Sequence, residues 1–128
     1  MNQRQQPQSE AAVQALVRLE ASAMGIALWR NNVGVLKDER GVPVRYGLAN
    51  DSSQVNANFK SADLIGIRPV FITPAHVGLV LGQFVSREVK APGWRYTGTE
   101  REAAQLAWLE LVRRYGGDAA FATGVGSL

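Results

Sequence analysis

The tetrapeptide Arg87-Glu88-Val89-Lys90 closes a Val-, Leu- and Phe-rich run at 77–89 whose composition reads as a strand. Side chains alternate faces along a strand, so Glu88 and Lys90 share one face while Val89 turns to the opposite, apolar one. Upstream, Ser61-Ala62-Asp63-Leu64-Ile65-Gly66 leads into the short apolar run 63–67, a neighbouring strand with Asp63 at its start. Downstream, Gln105 has Leu109 and Val112 at helical spacing and Trp108 one turn on, a pattern that would face it inward, toward Lys90 or an attacking water.

These groups suit one chemistry. Carboxylates from adjacent strands can bridge one or two divalent cations, and the backbone carbonyl of Val89 can supply a further oxygen ligand. Lys90 then stands beside the cation, where an ammonium orients a water or stabilises charge in a phosphoryl transition state. The composition narrows the metal. The chain has no cysteine and one histidine, His76, so thiolate and imidazole sites are excluded and a metal must sit on oxygen, as Mg²⁺ or Mn²⁺ does. His76 follows Pro74-Ala75 in a turn and reads as a surface residue. A lone Glu-x-Lys in a strand is ordinarily a solvated ion pair worth about 0 to 1 kcal/mol. The pattern gains weight from Asp63, Glu88, Lys90 and Gln105 occurring together in this order.

The rest of the 128-residue chain reads as one α/β domain. Residues 1–8 are polar and aperiodic, a disordered leader. A helix is predicted over 9–24, capped by Ser9 and stopped by Gly25. Strands follow at 26–36 and 42–48 around a polar turn ending in Gly41. Residues 50–61, dense in Asn and Ser, read as a long loop. Further strands are expected at 63–67, 70–73 and 77–89, limited by Pro69 and Pro74. Thr99-Glu100-Arg101-Glu102 is a capping box opening a helix to about Tyr115. Gly116-Gly117 ends it before a last strand at 119–123, and 125–128 form a flexible tail. The domain is placed at 9–124.

Together these features resemble the VRR-NUC branch of the PD-(D/E)XK nuclease superfamily, particularly its small stand-alone members in phages and prophages. The resemblance runs through Ser9-Glu10, Leu28-Trp29-Arg30-Asn31-Asn32-Val33-Gly34, Arg45-Tyr46-Gly47-Leu48, the Asp63 segment, Glu88-Val89-Lys90 and Gln105. It implies a restriction-endonuclease-like core, with a central mixed sheet flanked by helices in the order αβββαβ. It also implies metal-dependent phosphodiester hydrolysis, a homodimer, and action on branched DNA such as junctions or flaps. Asp63 and Glu88 would be metal ligands, Lys90 the catalytic lysine and Gln105 its support. Glu10 looks like the first-helix acid that completes the site, with Glu20 as its competitor. The superfamily's proline before the aspartate is here Ala62.

A formal net charge of +3 favours a polyanionic partner. Arg30 and Asn32 are candidate phosphate contacts, as are Lys60 and the Asn residues of 50–61, with Phe59 placed to stack on a base. Arg95 and Tyr96, beside Trp94, follow the catalytic strand as a substrate rim. No stretch approaches the roughly 18 apolar residues of a membrane span, so a cytoplasmic protein is expected, in the host cytoplasm if phage-encoded. The competing reading is a non-catalytic DNA-binding or assembly module that keeps a nuclease fold.

Overall fold

The computed structural model describes residues 9–128; the leader 1–8 lies outside them. The chain divides into two compact units, residues 1–66 and 67–128.

In the first unit, helix α1 (Glu10–Ala23) begins where the Ser9 hydroxyl accepts the Ala12 N–H at 3.1 Å. It ends at Met24, followed by Gly25 at φ +70°. That backbone conformation suits glycine, which has no Cβ to clash. The helix packs on strand β1 (Ala27–Arg30), with Ala21 buried. Strand β1 pairs with β4 (Leu64–Ile67). A Cβ on Gly66 would collide with the Ala27 carbonyl oxygen, so this close approach of the two backbones requires glycine.

The strand expected over 26–36 is broken in two. Asn31 interrupts it: its amide N–H donates to the Asp63 carbonyl at 2.8 Å, and its side-chain amide donates to the Ser61 hydroxyl at 2.8 Å and the Ala62 carbonyl at 2.9 Å. The chain then changes partner. Strand β2 (Gly34–Lys37) pairs antiparallel with β3 (Pro43–Tyr46), Val35 opposite Arg45. The connecting turn closes on Asp38, whose Oδ1 accepts from the Arg40 and Val42 N–H groups at 2.9 and 2.8 Å. The predicted loop at 50–61 instead contains a short helix, α2 (Ser53–Asn58), capped by the Ser52 hydroxyl. Its polar residues carry no apolar period, but the serine cap satisfies the first turn locally.

In the second unit, the strands expected at 70–73 and over the first part of 77–89 do not form. Pro69 and Pro74 remove ladder donors, Gly78 takes φ +85°, and a 3-10 turn occupies Pro74–His76. Phe71 is 88% exposed in this irregular stretch. Strand β5 (Val85–Val89) pairs in parallel with β6 (Asp118–Ala122), Glu88 opposite Phe121. A parallel pair needs a crossover. Helix α3 (Glu100–Arg114) provides it and packs on both strands, with Leu109 and Val112 wholly buried. Gly117 permits the tight return to β6, since a Cβ there would lie 2.5 Å from Val112 Cγ1 and 3.0 Å from the Phe84 carbonyl oxygen.

The protein is therefore a small mixed α/β fold. Its described strands form three two-stranded ladders, β1–β4, β2–β3 and β5–β6, where one central sheet in the order αβββαβ was expected. The irregular 68–84 segment and the break at Asn31 account for the difference. No helix among the described residues is long and apolar enough to cross a membrane.

Candidate active site

In the second unit, alternation along β5 puts Ser86, Glu88 and Lys90 on the face covered by α3. Helical spacing puts Gln105 and Trp108 opposite them. The Trp108 indole N–H donates to the Ser86 hydroxyl at 2.9 Å. One turn earlier, Gln105 joins the two charged residues: Lys90 Nζ donates to Gln105 Oε1 at 2.7 Å, and Gln105 Nε2 donates to Glu88 Oε1 at 2.8 Å. Lys90 and Glu88 are thereby 4.0 Å apart, bridged by the amide. Glu88 Oε2 makes no hydrogen bond to any described residue, which leaves it available to a ligand.

Lys90 is largely enclosed, its side chain 17% exposed. Its backbone N–H donates to the Ala122 carbonyl at 2.8 Å. The ammonium lies 5.3 Å from the centre of the Trp94 ring and 6.0 Å from that of Phe121, within the range of attraction between a cation and an aromatic face. Trp94 is itself fixed. It packs on Phe121 at 4.6 Å between centroids, and its indole N–H donates to Glu102 Oε2 at 3.0 Å.

Glu102 does more than cap α3. Only 7% exposed, its carboxylate also accepts from the Thr97 N–H and hydroxyl and from the Thr99 N–H, at 2.9 to 3.2 Å. Burial would raise its carboxyl pKa, but these donors outweigh burial and hold it at about 2, below the ordinary 4.5. Glu102 thus ties residues 94–99 to the helix, and its capping-box spacing was the only signal of this in the sequence.

Val89 alternates away from Glu88 and Lys90 as expected. Its side chain, however, is 75% exposed and does not enter an apolar layer, because α3 covers the other face of β5. Arg95 and Tyr96 are exposed beside this cluster, with Tyr96 edge-on to Trp94 at 6.4 Å.

In the first unit, Asn31 clamps residues 61–63 and so fixes the position of Asp63. Asp63 borders a cleft of about 580 Å³ together with Glu10, Val13, Gln14 and Val17 from one face of α1. Glu20 does not line it, so of the two candidate acids Glu10 is the one beside Asp63. Arg30 and Asn32 are exposed at the end of β1 and just beyond it. Lys60 Nζ donates to the carbonyl and side-chain oxygens of Asn56 at 3.0 and 2.7 Å.

Asn50 departs from the reading of it as a substrate donor. It is 2% exposed and donates to the carbonyls of Gly34 and Tyr46 at 2.8 and 2.9 Å, while its Oδ1 accepts from Arg45. His76 caps its own turn by accepting the Thr73 N–H at Nδ1.

Glu10 and Asp63 in the first unit bring two carboxylates to one cleft, and oxygen donors of this kind suit a hard divalent cation; Glu88 belongs to the second unit. Among the described residues, no three His, Asp or Glu side chains gather closely enough to hold a metal by themselves. Compared with known protein families, curated proteins and solved structures, the chain matches none.

Proposed function

We propose that the protein is a divalent-metal-dependent deoxyribonuclease of the PD-(D/E)XK type, resembling the VRR-NUC branch. Its substrate in this reading is branched DNA, such as a junction or flap, and it acts as a homodimer. The observation that carries the proposal is the chain Lys90–Gln105–Glu88. A solvated surface ion pair would let its two charges meet directly. Here the two charges stand at 4.0 Å with a glutamine hydrogen-bonded to both, so Lys90 is held in an aromatic enclosure and Glu88 Oε2 bonds to no described residue.

The resemblance assigns Asp63, Glu88 and the Val89 carbonyl, with Glu10 as the additional acid, as the groups that would hold Mg²⁺ or Mn²⁺. The bound cation would polarise the scissile phosphate and acidify a water. Lys90 donates to a phosphate oxygen as negative charge builds there in the transition state. Gln105 holds the ammonium in place, and Trp94 and Phe121 limit competing water around it. Arg30, Asn32, Lys60, Arg95 and Tyr96 are the proposed contacts to the DNA backbone and bases.

The test is cleavage of labelled four-way junction, flap, duplex and single-stranded DNA with Mg²⁺ or Mn²⁺, comparing the native chain with Lys90→Ala and Asp63→Ala. Metal-dependent cutting by the native chain, lost in both variants, is the expected result. DNA binding by all three proteins with no cutting on any substrate would replace the enzyme with a binding module. Light scattering at micromolar concentration tests the dimer.

A further inference from the structure

A second polar cavity lies in the first unit, away from α1. It measures about 430 Å³ and is bordered by Gly34, Val35, Arg45, Asn56, Lys60 and Ser61. Two cations line it and no carboxylate does. Among the described residues, neither Arg45 nor Lys60 meets an acidic group within salt-bridge distance.

The donor inventory shows unused capacity. Arg45 carries five N–H groups and donates to one acceptor, Asn50 Oδ1, at 2.8 Å. Lys60 has three N–H groups and donates to two acceptors, both on Asn56. The Asn56 side-chain amide donates to no described residue, so several donors of positive or neutral character remain unpaired around one cavity.

The cavity is also built rather than incidental. Arg45 is half-buried, and Asn50 fixes it while bonding the Gly34 and Tyr46 carbonyls across the hairpin. Ala49, just before Asn50, sits at φ +53°, a left-handed conformation that is unfavourable for a residue with a Cβ. The three Asn50 hydrogen bonds offset that cost and hold the arginine's position. Ser61 closes the rim, its hydroxyl donating to the Leu48 carbonyl at 2.7 Å.

We infer that this cavity binds a single phosphate group, held by Arg45 and Lys60 with help from the Asn56 amide, and that the phosphate belongs to the DNA backbone. The choice of DNA as its source rests on the nuclease reading; the phosphate chemistry does not. Arg45 supplies a planar fork suited to two phosphate oxygens, and Lys60 supplies a point charge.

The test measures binding of a fluorescent duplex by anisotropy across a salt series, with divalent metal chelated so that cleavage plays no part. The native chain is compared with Lys60→Gln, Arg45→Gln and the double variant. Lys60 is exposed, so Lys60→Gln tests the site even if loss of the Arg45–Asn50 bond unfolds the hairpin. Each phosphate neutralised on duplex DNA contributes about 0.9 to the slope of log affinity against log salt. Because both cations serve one phosphate, the double variant should lower that slope by about 0.9, and Lys60→Gln by a fraction of that.

A fall of about 1.8 would mean two separate surface contacts, and no fall with any variant would mean no DNA phosphate in the cavity; both results overturn the inference. A parallel titration with inorganic phosphate should shift the Gly34, Val35 and Ser61 amide resonances in the native chain and not in Lys60→Gln. Such shifts with an unaltered DNA slope would assign the cavity to a free phosphate and overturn the DNA source. DNA binding with the expected slopes but no cleavage in Mg²⁺ would defeat the nuclease reading alone, whereas cleavage with an unaltered slope would defeat only the phosphate cavity.

Discussion

If Gln105 acts through Lys90, removing it should cost activity only while Lys90 is present. Gln105→Ala deletes both bonds of the bridge, at 2.7 and 2.8 Å, and leaves Lys90 and Glu88, already 4.0 Å apart, free to pair directly. Stability should therefore change little, because the existing Lys90–Glu88 ion pair can tighten in place of the two lost bonds. Activity should not be spared. A hydrogen bond to a charged group is worth about 1.5 to 3 kcal/mol, which at 1.36 kcal/mol per tenfold corresponds to a loss in kcat of about 10- to 150-fold. The assay is a double-mutant cycle of single-turnover cleavage with Lys90→Ala, Gln105→Ala and the pair. The double variant should be no slower than Lys90→Ala alone, since residues that act as a unit are not additive. Losses that multiply would show that Gln105 works independently of Lys90, and an unimpaired Gln105→Ala would remove it from the site altogether.

Three further outcomes follow from the packing and the carboxylate. The Glu102 carboxyl is held at about 2 against an ordinary 4.5, so its stabilising effect is complete above 4.5 and is lost as pH falls toward 2. Thermal melts of native and Glu102→Gln protein should differ most above pH 4.5 and converge below it; a gap independent of pH would contradict the charge-based account. Leu109→Ala should lower unfolding free energy by about 2 to 5 kcal/mol in urea, as expected for a wholly buried leucine, and a loss under 1 kcal/mol would mean the second unit's core lies elsewhere. Gly66→Ala should destabilise the first unit, because the added methyl collides with the Ala27 carbonyl oxygen; an unchanged melt would show that β1 and β4 can separate at no cost.

Local signals carried well where the chemistry was itself local. Ser9 and Thr99 cap α1 and α3 with their own hydroxyls, and Gly25 and Gly116 adopt the positive φ that ends a helix. The Glu-x-Lys alternation likewise put Glu88 and Lys90 on one face, and helical spacing turned Gln105 toward them. These inferences depend on bonds spanning a few residues, or on the period of a single element. The strands at 70–73 and 77–84 failed for a related reason. Apolar composition signals a tendency to be buried, but a strand also needs an edge to pair with, and the prolines and Gly78 deny this segment a regular ladder. Asn31 shows the same limit, since only its contacts with residues 61–63 explain why one predicted strand became two.

Glu102 and Asn50 mark where residue type misleads. Both are polar residues in polar stretches, where exposure is the ordinary expectation. Yet each is almost fully buried and gathers several loop donors or acceptors around itself, and neither leaves a polar side-chain atom unsatisfied. Leaving such a group unpaired would be costly, so each fixes its surroundings: Glu102 fixes Trp94 beside Lys90, and Asn50 fixes Arg45 at the polar cavity. In each unit a buried polar anchor therefore supports a cation proposed to meet DNA: Asn50 bonds Arg45 directly, and Glu102 acts on Lys90 through Trp94. Glu88, Lys90 and Gln105 could be read from their own spacing, whereas the anchors, and Arg45 beside one of them, became visible only from the partners that folding brings to them.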